Sequence, residues 1–128
     1  MAQEVREKAQ WDESFPAGAD LTGDQYKIVK LNASGQVVLS GAGELAIGVL
    51  QNKPGSGEAA QVRIFGLTRM LTKGSNAEPG DNIFSDATGF GVTTGSAGQM
   101  AIGQAFGTWS IEEEVQGILL FGPFRAHV

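Results

Sequence analysis

The chain has 128 residues, a formal net charge of -5 and no cysteine, which suits one domain whose hydrophobic core needs neither a metal ion nor a disulfide. The lack of cysteine excludes disulfides, thiolate catalysis and cysteine-ligated zinc. The acidic balance argues against nucleic-acid binding, which depends on Lys and Arg neutralising phosphates, and no apolar run approaches the roughly 18 residues of a membrane span.

Residues 1–18 are predicted to form an extended N-terminal arm outside the main domain. The first ten residues are polar and mixed in charge, and Trp11 and Phe15 precede the turn residues Pro16-Ala17-Gly18. A segment of this composition cannot build a core by itself, so we expect a partner to order it. The alternative is a terminus whose aromatic side chains fold back onto the domain.

Residues 19–128 are predicted to form a single, mostly β domain with very little helix, either a small β-barrel or a β-sandwich. Apolar residues alternate along the chain after residue 26, and Asn32–Gly35 is a turn sequence, so residues 26–39 are predicted to be a hairpin. The small residues of Gly41–Gly48 predict a sharp bend into a short strand, and residues 60–65 are predicted to be a closing strand. No window has a helical apolar period with caps.

The segment Gly41–Gly48 occurs twice in the chain. Residues 96–103 repeat it with five of its eight positions identical, and three more pairs of short segments match at offsets of 54 to 57. These pairs are Gly23-Asp24 with Gly80-Asp81, Asn32–Gly35 with Asp86–Gly89, and Arg63–Gly66 with Leu119–Gly122. A tandem duplication is predicted, with repeat one at about 19–66 and repeat two at about 76–122. Residues 1–15 have no counterpart in this alignment.

The two corners and the asymmetric segments contain the remaining candidate residues. Four glycines of the corners are predicted to be turn residues: Gly43, Gly48, Gly98 and Gly103. The second half departs from the first at residues 108–114, where Trp109 lies, and in a tail that contains Phe124. Because Trp is enriched at interface anchors, Trp109 and Phe124 are candidates for a subunit interface, and core packing is the alternative for Trp109.

No motif predicts catalysis, a cofactor or a metal ion. Gly41-x-Gly43 is followed by a predicted strand instead of the helix that a dinucleotide fingerprint requires. Consecutive side chains of the acidic run Glu112–Glu114 point to alternate sides, which favours a solvated loop over a converging carboxylate pair. His127 is the only histidine, so one chain cannot assemble a transition-metal site or a His-based triad.

Five turn-and-strand motifs then occur in order along most of the chain. They are Gly23-Asp24, Ala46–Asn52, Gly57-Glu58, Val62–Gly66 and Pro79-Gly80-Asp81. Together they resemble the capsid cement, or head decoration, proteins of tailed bacteriophages, over about residues 17–122. The resemblance implies a structural protein without enzymatic activity, often a homotrimer, made in the host cytoplasm and seated on the outside of the virion head. The implied partner is the major capsid protein, whose shell it would stabilise.

The N-terminal arm is the predicted contact with the shell, because an extended segment can add a strand to an exposed sheet edge. Its candidate capsid-binding residues are Val5, Arg6, Trp11 and Phe15. A trimer would present three arms together, and their high effective concentration would strengthen weak individual contacts.

Two other function classes stay open at this point. Duplicated hairpins with Gly-Asp turns also occur in barrel-sandwich binding or carrier modules of the lipoyl type. Those carriers need a lysine at a hairpin tip, and neither Asn32–Gly35 nor Asp86–Gly89 contains one. An enzyme would need a site built between the chains of an oligomer, for which no residue can be named.

Overall fold

The computed structural model describes residues 10–42, 44–73, 78–93, 101–106 and 114–121. These residues form nine β-strands and no helix, so the predicted mostly β fold is confirmed. In chain order the strands are β1 (Trp11–Pro16), β2 (Ile28–Leu31), β3 (Val37–Leu39), β4 (Gly48–Leu50), β5 (Ala59–Thr72), β6 (Asn82–Ser85), β7 (Gly91–Val92), β8 (Gly103–Ala105) and β9 (Glu114–Phe121).

The second half of the chain closes into a five-stranded ring, which we call the second barrel. The C-terminal part of β5 pairs antiparallel with β9, from Phe65↔Phe121 to Thr72↔Glu114. The end of β5 also pairs parallel with β7 at Thr72↔Gly91. β7 pairs with β6, β6 with β8 and β8 with β9. Closure into a ring removes the free sheet edges that an open sheet would expose.

The first half forms a ring of the same strand order, which we call the first barrel. Val62 and Arg63 of β5 pair with both β1 and β4, so these two strands lie on opposite edges of β5. β4 pairs with β2 and β2 with β3. The parallel bridge Ala17↔Val37 joins the residue after β1 to β3 and completes the ring. β5 is therefore shared, its N-terminal part by the first barrel and its C-terminal part by the second.

The two barrels repeat each other's strand pairings residue by residue, at offsets of 54 to 56. The corresponding pairs are Val29↔Gly48 with Ile83↔Gly103, Ala17↔Val37 with Thr72↔Gly91, and Asp12↔Arg63 with Leu67↔Leu119. This correspondence makes β1 the counterpart of the C-terminal part of β5.

The predicted N-terminal arm, residues 1–18, is corrected by this arrangement. Where the structure describes the arm, Trp11–Pro16 is strand β1 of the first barrel, and its order comes from pairing with β5 instead of with a partner. The expectation that residues 1–15 have no counterpart is also wrong, because β1 corresponds to the residues that follow Gly66. The two strands differ in polarity at matched positions, so their equivalence is visible only from the pairing.

Two clusters of buried side chains fill the interior. One contains Val29, Val37, Leu50 and Val62 from the first barrel, and Phe15 packs against it. The other is built on the second barrel: Met70, Ile83, Ile102, Ala105, Ile118 and Leu120, together with Ile28, Ala46 and Val49. Because neighbouring strand residues point to opposite faces, Val29 enters the first cluster while Ile28 reaches the second. The outer face of β2 and β4 therefore packs against the second barrel.

Gly48 and Gly103 lie in strands β4 and β8, which differs from their predicted role as turn residues. A Cβ atom at Gly48 would overlap the carbonyl oxygen of Arg63, and one at Gly103 would overlap the carbonyl oxygen of Leu119. The two sites are equivalent in the two barrels. Glycine is needed here because a neighbouring backbone approaches closely. Gly43 and Gly98 lie outside the described residues.

The match between Gly23-Asp24 and Gly80-Asp81 does not persist in the structure. The backbone N–H of Tyr26 donates to Leu50, and the N–H of Gly80 donates to Ala105, which is the residue equivalent to Leu50. Tyr26 has φ +71° and Gly80 has φ +93°, so Tyr26 occupies the left-handed position that glycine occupies in the second barrel. The true offset at this turn is therefore 54.

Candidate interaction surfaces

Among the described residues, no candidate site is formed by metal ligands, unpaired buried polar atoms or membrane-spanning helices. No group of three or more His, Cys, Asp and Glu side chains among them is placed to hold a metal ion. Every buried side-chain nitrogen or oxygen in that part of the chain has a hydrogen-bond partner. No helix of the described residues is long and apolar enough to cross a membrane. Two features of the exposed surface are candidates for contact with a partner: strand β1 and the outer face of the second barrel.

The structure describes only part of the predicted site. Six predicted site residues lie outside the described residues: Val5, Arg6, Gly43, Gly98, Trp109 and Phe124. Trp11 and Phe15 are both in β1, and they differ in environment. The Trp11 side chain is 45% exposed, whereas Phe15 is half-buried against the core of the first barrel. Of these two residues, only Trp11 is free to contact a partner.

A bidentate ion pair between Asp12 and Arg63 joins strand β1 to β5. Arg63 Nε donates to Asp12 Oδ1 at 2.8 Å, and Arg63 Nη2 donates to Asp12 Oδ2 at 3.1 Å. The third guanidinium nitrogen, Nη1, donates to the carbonyl oxygen of Leu67 at 3.1 Å. The hydrogen bond from Arg63 holds the pKa of Asp12 below its ordinary value, and Asp12 in turn raises the pKa of Arg63. This ion pair fixes β1 to β5 at the residue next to Trp11.

The outer edge of β1 is available for pairing. β5 occupies one edge of β1, and among the described residues no strand pairs with the other edge apart from the bridge at Ala17. All residues of β1 except Phe15 are exposed. Trp11 Nε1 donates to Glu13 Oε2 at 2.8 Å, which orients the indole along the strand. An exposed edge of this kind is where another chain can add a strand.

A second surface lies on the outer face of the second barrel. Leu67 on β5 pairs with Leu119 on β9, and Leu119 pairs with Gln104 on β8. Phe106 lies beyond Gln104 on the same face and approaches Gly117, where an added Cβ would lie 3.9 Å from the Cβ of Phe106. Phe106 is 63% exposed and Leu119 is 37% exposed. We call the half-buried Leu67 and the exposed Phe106 and Leu119 the apolar stripe.

The first barrel has polar residues at the positions equivalent to the apolar stripe. Asp12↔Arg63 takes the place of Leu67↔Leu119. Gln51 takes the place of Phe106, because their backbone N–H groups make equivalent hydrogen bonds. The N–H of Gln51 donates to the carbonyl oxygen of Gln61 at 2.7 Å, and the N–H of Phe106 donates to that of Gly117 at 3.0 Å. Sequence reasoning missed the stripe because its alignment left out β1. Comparing polarity between matched repeat positions is the signal that could have found it.

Comparisons with known proteins agree with this architecture. The family model described as phage cement protein matches residues 22–115, which is most of the chain. The chain belongs to the phage cement protein family. The resemblance seen in the sequence is thus confirmed, and this cement protein is a structural protein associated with a phage capsid.

A solved structure supports the fold of the cement protein. The head fiber gp8.5 N base of bacteriophage phi29 matches with a TM-score of 0.66 at 14% sequence identity, over 88% of this chain and 94% of that one. Identity this low indicates a shared fold only. A comparison with curated protein sequences finds no match.

Proposed function

We propose that this cement protein binds the outer surface of the assembled phage head and stabilises the shell, with the major capsid protein as its partner. The observation that carries the proposal is the exposed edge strand β1, which holds Trp11 at the surface of two fused barrels. A rigid β body with an exposed strand at its start suits a protein that reinforces another structure and performs no chemistry.

Shell contact is assigned to residues 1–9 and to the outer edge of β1. Backbone hydrogen bonds along that edge would supply affinity, and side chains at alternate positions would supply register. Val5, Arg6 and Trp11 are the proposed contact residues. Phe15 is reassigned to fixing β1 onto the first barrel, because its side chain packs against that core. The Asp12–Arg63 ion pair would keep β1 attached to β5 while the outer edge of β1 is bound to the shell.

Three copies of the arm are proposed to act together in a homotrimer. A single edge strand and one exposed Trp form a small contact, and a small contact alone is weak. Linking three such contacts raises the local concentration of the second and third once the first has formed. A threefold arrangement also matches the local symmetry positions that a capsid shell provides.

Co-sedimentation with undecorated heads tests the capsid contact. Deleting residues 2–9 and substituting Trp11→Ala should leave the folded barrels intact and abolish binding. The matched control is Leu45→Ala, because Leu45 is 70% exposed and lies outside β1, just before β4. Full occupancy by the doubly altered protein would contradict the assignment of the arm.

The stabilising role has its own readout. Heads decorated by the intact protein should lose their contents at a higher temperature than undecorated heads, and heads mixed with the arm-deleted protein should not. Protease added to intact decorated heads should cleave the protein if it lies outside the shell. Complete protection from protease would contradict the outer location.

No observation favours the carrier module. The Asp86–Gly89 turn is packed against the first barrel, where the N–H of Ile28 donates to the carbonyl oxygen of Gly89 at 2.7 Å, so this tip does not project freely. The equivalent Asn32–Gly35 tip is exposed and contains no lysine. Neither tip suits the attachment of a swinging cofactor.

A further inference from the structure

The residues of the apolar stripe can be compared with the residues at the matched positions of the first barrel. Both barrels have the same strand order and register, so matched positions have the same backbone geometry. On the matched face the first barrel has the Asp12–Arg63 ion pair and Gln51. Arg63 and Gln51 are half-buried there, and they donate hydrogen bonds to Leu67 and Thr68 of the second barrel. The second barrel carries Leu67, Leu119 and Phe106 at those positions. The fold therefore accepts polar residues at these three positions even where they are partly covered, so the exposed Phe106 and Leu119 call for another explanation.

We propose that the apolar stripe is the surface through which copies of this chain associate. A contiguous exposed apolar patch on a small protein is a mark of an interaction site, and interfaces between identical subunits are more apolar than other interfaces. The stripe lies on the second barrel, whereas the proposed capsid contact starts at β1 of the first. The two surfaces use different residues, so substitutions can test them separately.

Charge at the border of the stripe favours a second copy as the occupant. Arg69 is exposed on β5 beside the stripe, opposite Gly117, and no described residue forms an ion pair with it. The chain has 14 acidic residues against nine basic ones. A second copy thus offers apolar residues for the stripe and carboxylates for Arg69. Rim pairs of this kind set orientation more than affinity.

This inference deepens the proposed homotrimer by naming its surface, and it does not depend on capsid binding. Multi-angle light scattering of the purified full-length chain, without heads, measures association directly. The test variant carries Leu67→Asp, Phe106→Gln and Leu119→Arg. These changes place the first barrel's own polar residues at matched positions, where the fold is known to accept them.

The intact protein should have a molar mass that is a multiple of 13.4 kDa, and the triple variant should fall to 13.4 kDa with an unchanged β-sheet circular dichroism spectrum. The matched control is the charge exchange Asp12→Arg with Arg63→Asp, which alters the equivalent face of the first barrel and should leave the molar mass of the intact protein unchanged.

The reverse exchange gives an independent readout if the triple variant fails to fold. Asp12→Leu with Arg63→Leu copies the leucine pair into the first barrel, and it should raise the molar mass above that of the intact protein. An intact protein that is monomeric at all concentrations, or a folded triple variant that keeps its oligomeric mass, would overturn the inference.

Head binding separates this inference from the proposed function. A monomeric triple variant that still sediments with heads, with lower apparent affinity, supports the stripe as a contact between copies. A triple variant that keeps its oligomeric mass but no longer binds heads would assign the stripe to the capsid protein instead. Loss of head binding by the arm deletion alone does not bear on the stripe.

Discussion

At the scale of single residues, the repeated Gly41–Gly48 segment owes part of its composition to close packing. Gly48 and Gly103 each lie against a carbonyl oxygen of the neighbouring strand, with no room for a side chain. The positive-φ glycines have a different reason: Gly80 has φ +93° and open space around it. Steric exclusion and backbone conformation are thus separate requirements for glycine in one small fold.

Two alanine substitutions should separate these requirements. Gly48→Ala is expected to lower the free energy of unfolding by about 3 kcal/mol or more, because the methyl group overlaps backbone that cannot move without breaking the β4–β5 pairing. Gly80→Ala is expected to cost about 1 kcal/mol, because it only strains φ. Urea unfolding of both variants measures the difference, and equal losses would show that close packing at Gly48 is not important.

The Asp12–Arg63 pair predicts a pH dependence for β1. The folded-state pKa of Asp12 is lowered, so its stabilising effect is complete above the ordinary carboxyl pKa of about 3.9 and is lost as pH falls through the lowered value. Asp12→Asn should therefore lower the unfolding free energy by about 0.5–1 kcal/mol at neutral pH, and this loss should shrink as the pH falls through the lowered pKa. A difference that persists at the acidic end would exclude ionisation of Asp12 as its cause.

At the scale of elements, the two barrels depend on β5 and on its two long partners, β1 and β9. The 14-residue β5 is the last strand of the first barrel and the first strand of the second. β1 occupies in the first barrel the place that the C-terminal part of β5 occupies in the second. A segment that looks like a disposable terminus is therefore one of five strands in a ring.

Deletions that end on either side of β1 should behave differently. Removing residues 2–9 is expected to leave the melting temperature unchanged, because all nine described strands are kept. Removing residues 2–17 should lower it by at least about 5 °C, because it exposes the cluster around Phe15 and opens the first barrel. Differential scanning calorimetry compares the two proteins. Equal melting temperatures would mean that β1 adds nothing to the stability of the first barrel.

At the scale of the whole molecule, the two barrels are packed head to tail. Ile28 and Val49 of the first barrel belong to the cluster of the second. The equivalent residues on the second barrel are Asn82 and Gln104, which are polar and not buried. The apolar pair through which the first barrel packs against the second is therefore replaced by a polar pair on the second barrel.

A shared strand and a shared cluster predict that the two barrels unfold together. Leu50→Ala in the first barrel and Ile118→Ala in the second each remove a fully buried side chain and should each cost about 2–5 kcal/mol. Calorimetry of both variants should show one transition that moves as a whole. Two transitions, with only one moved by each variant, would show that the barrels are independent.

The sequence by itself determined the mostly β class, the family and the duplication of its central segments. These features depend on local signals: apolar alternation, turn residues and the repeated Gly-rich corner, each of which is read over a few residues. The prediction from the sequence that the chain has no catalytic or metal site rests on composition. Composition also excludes cysteine chemistry without any knowledge of the fold.

The tertiary structure alone decided where β1 belongs and which face is unusually apolar. Asp12 and Leu67 share no chemistry, and only their common pairing with the last strand of each barrel identifies them as equivalent. The close approach at Gly48 likewise depends on a strand 15 residues away. Long-range strand pairing determines both the position of β1 and the close approach at Gly48. Side chains on a solvent-facing strand are weakly constrained, so the local sequence does not reveal which strand they pair with.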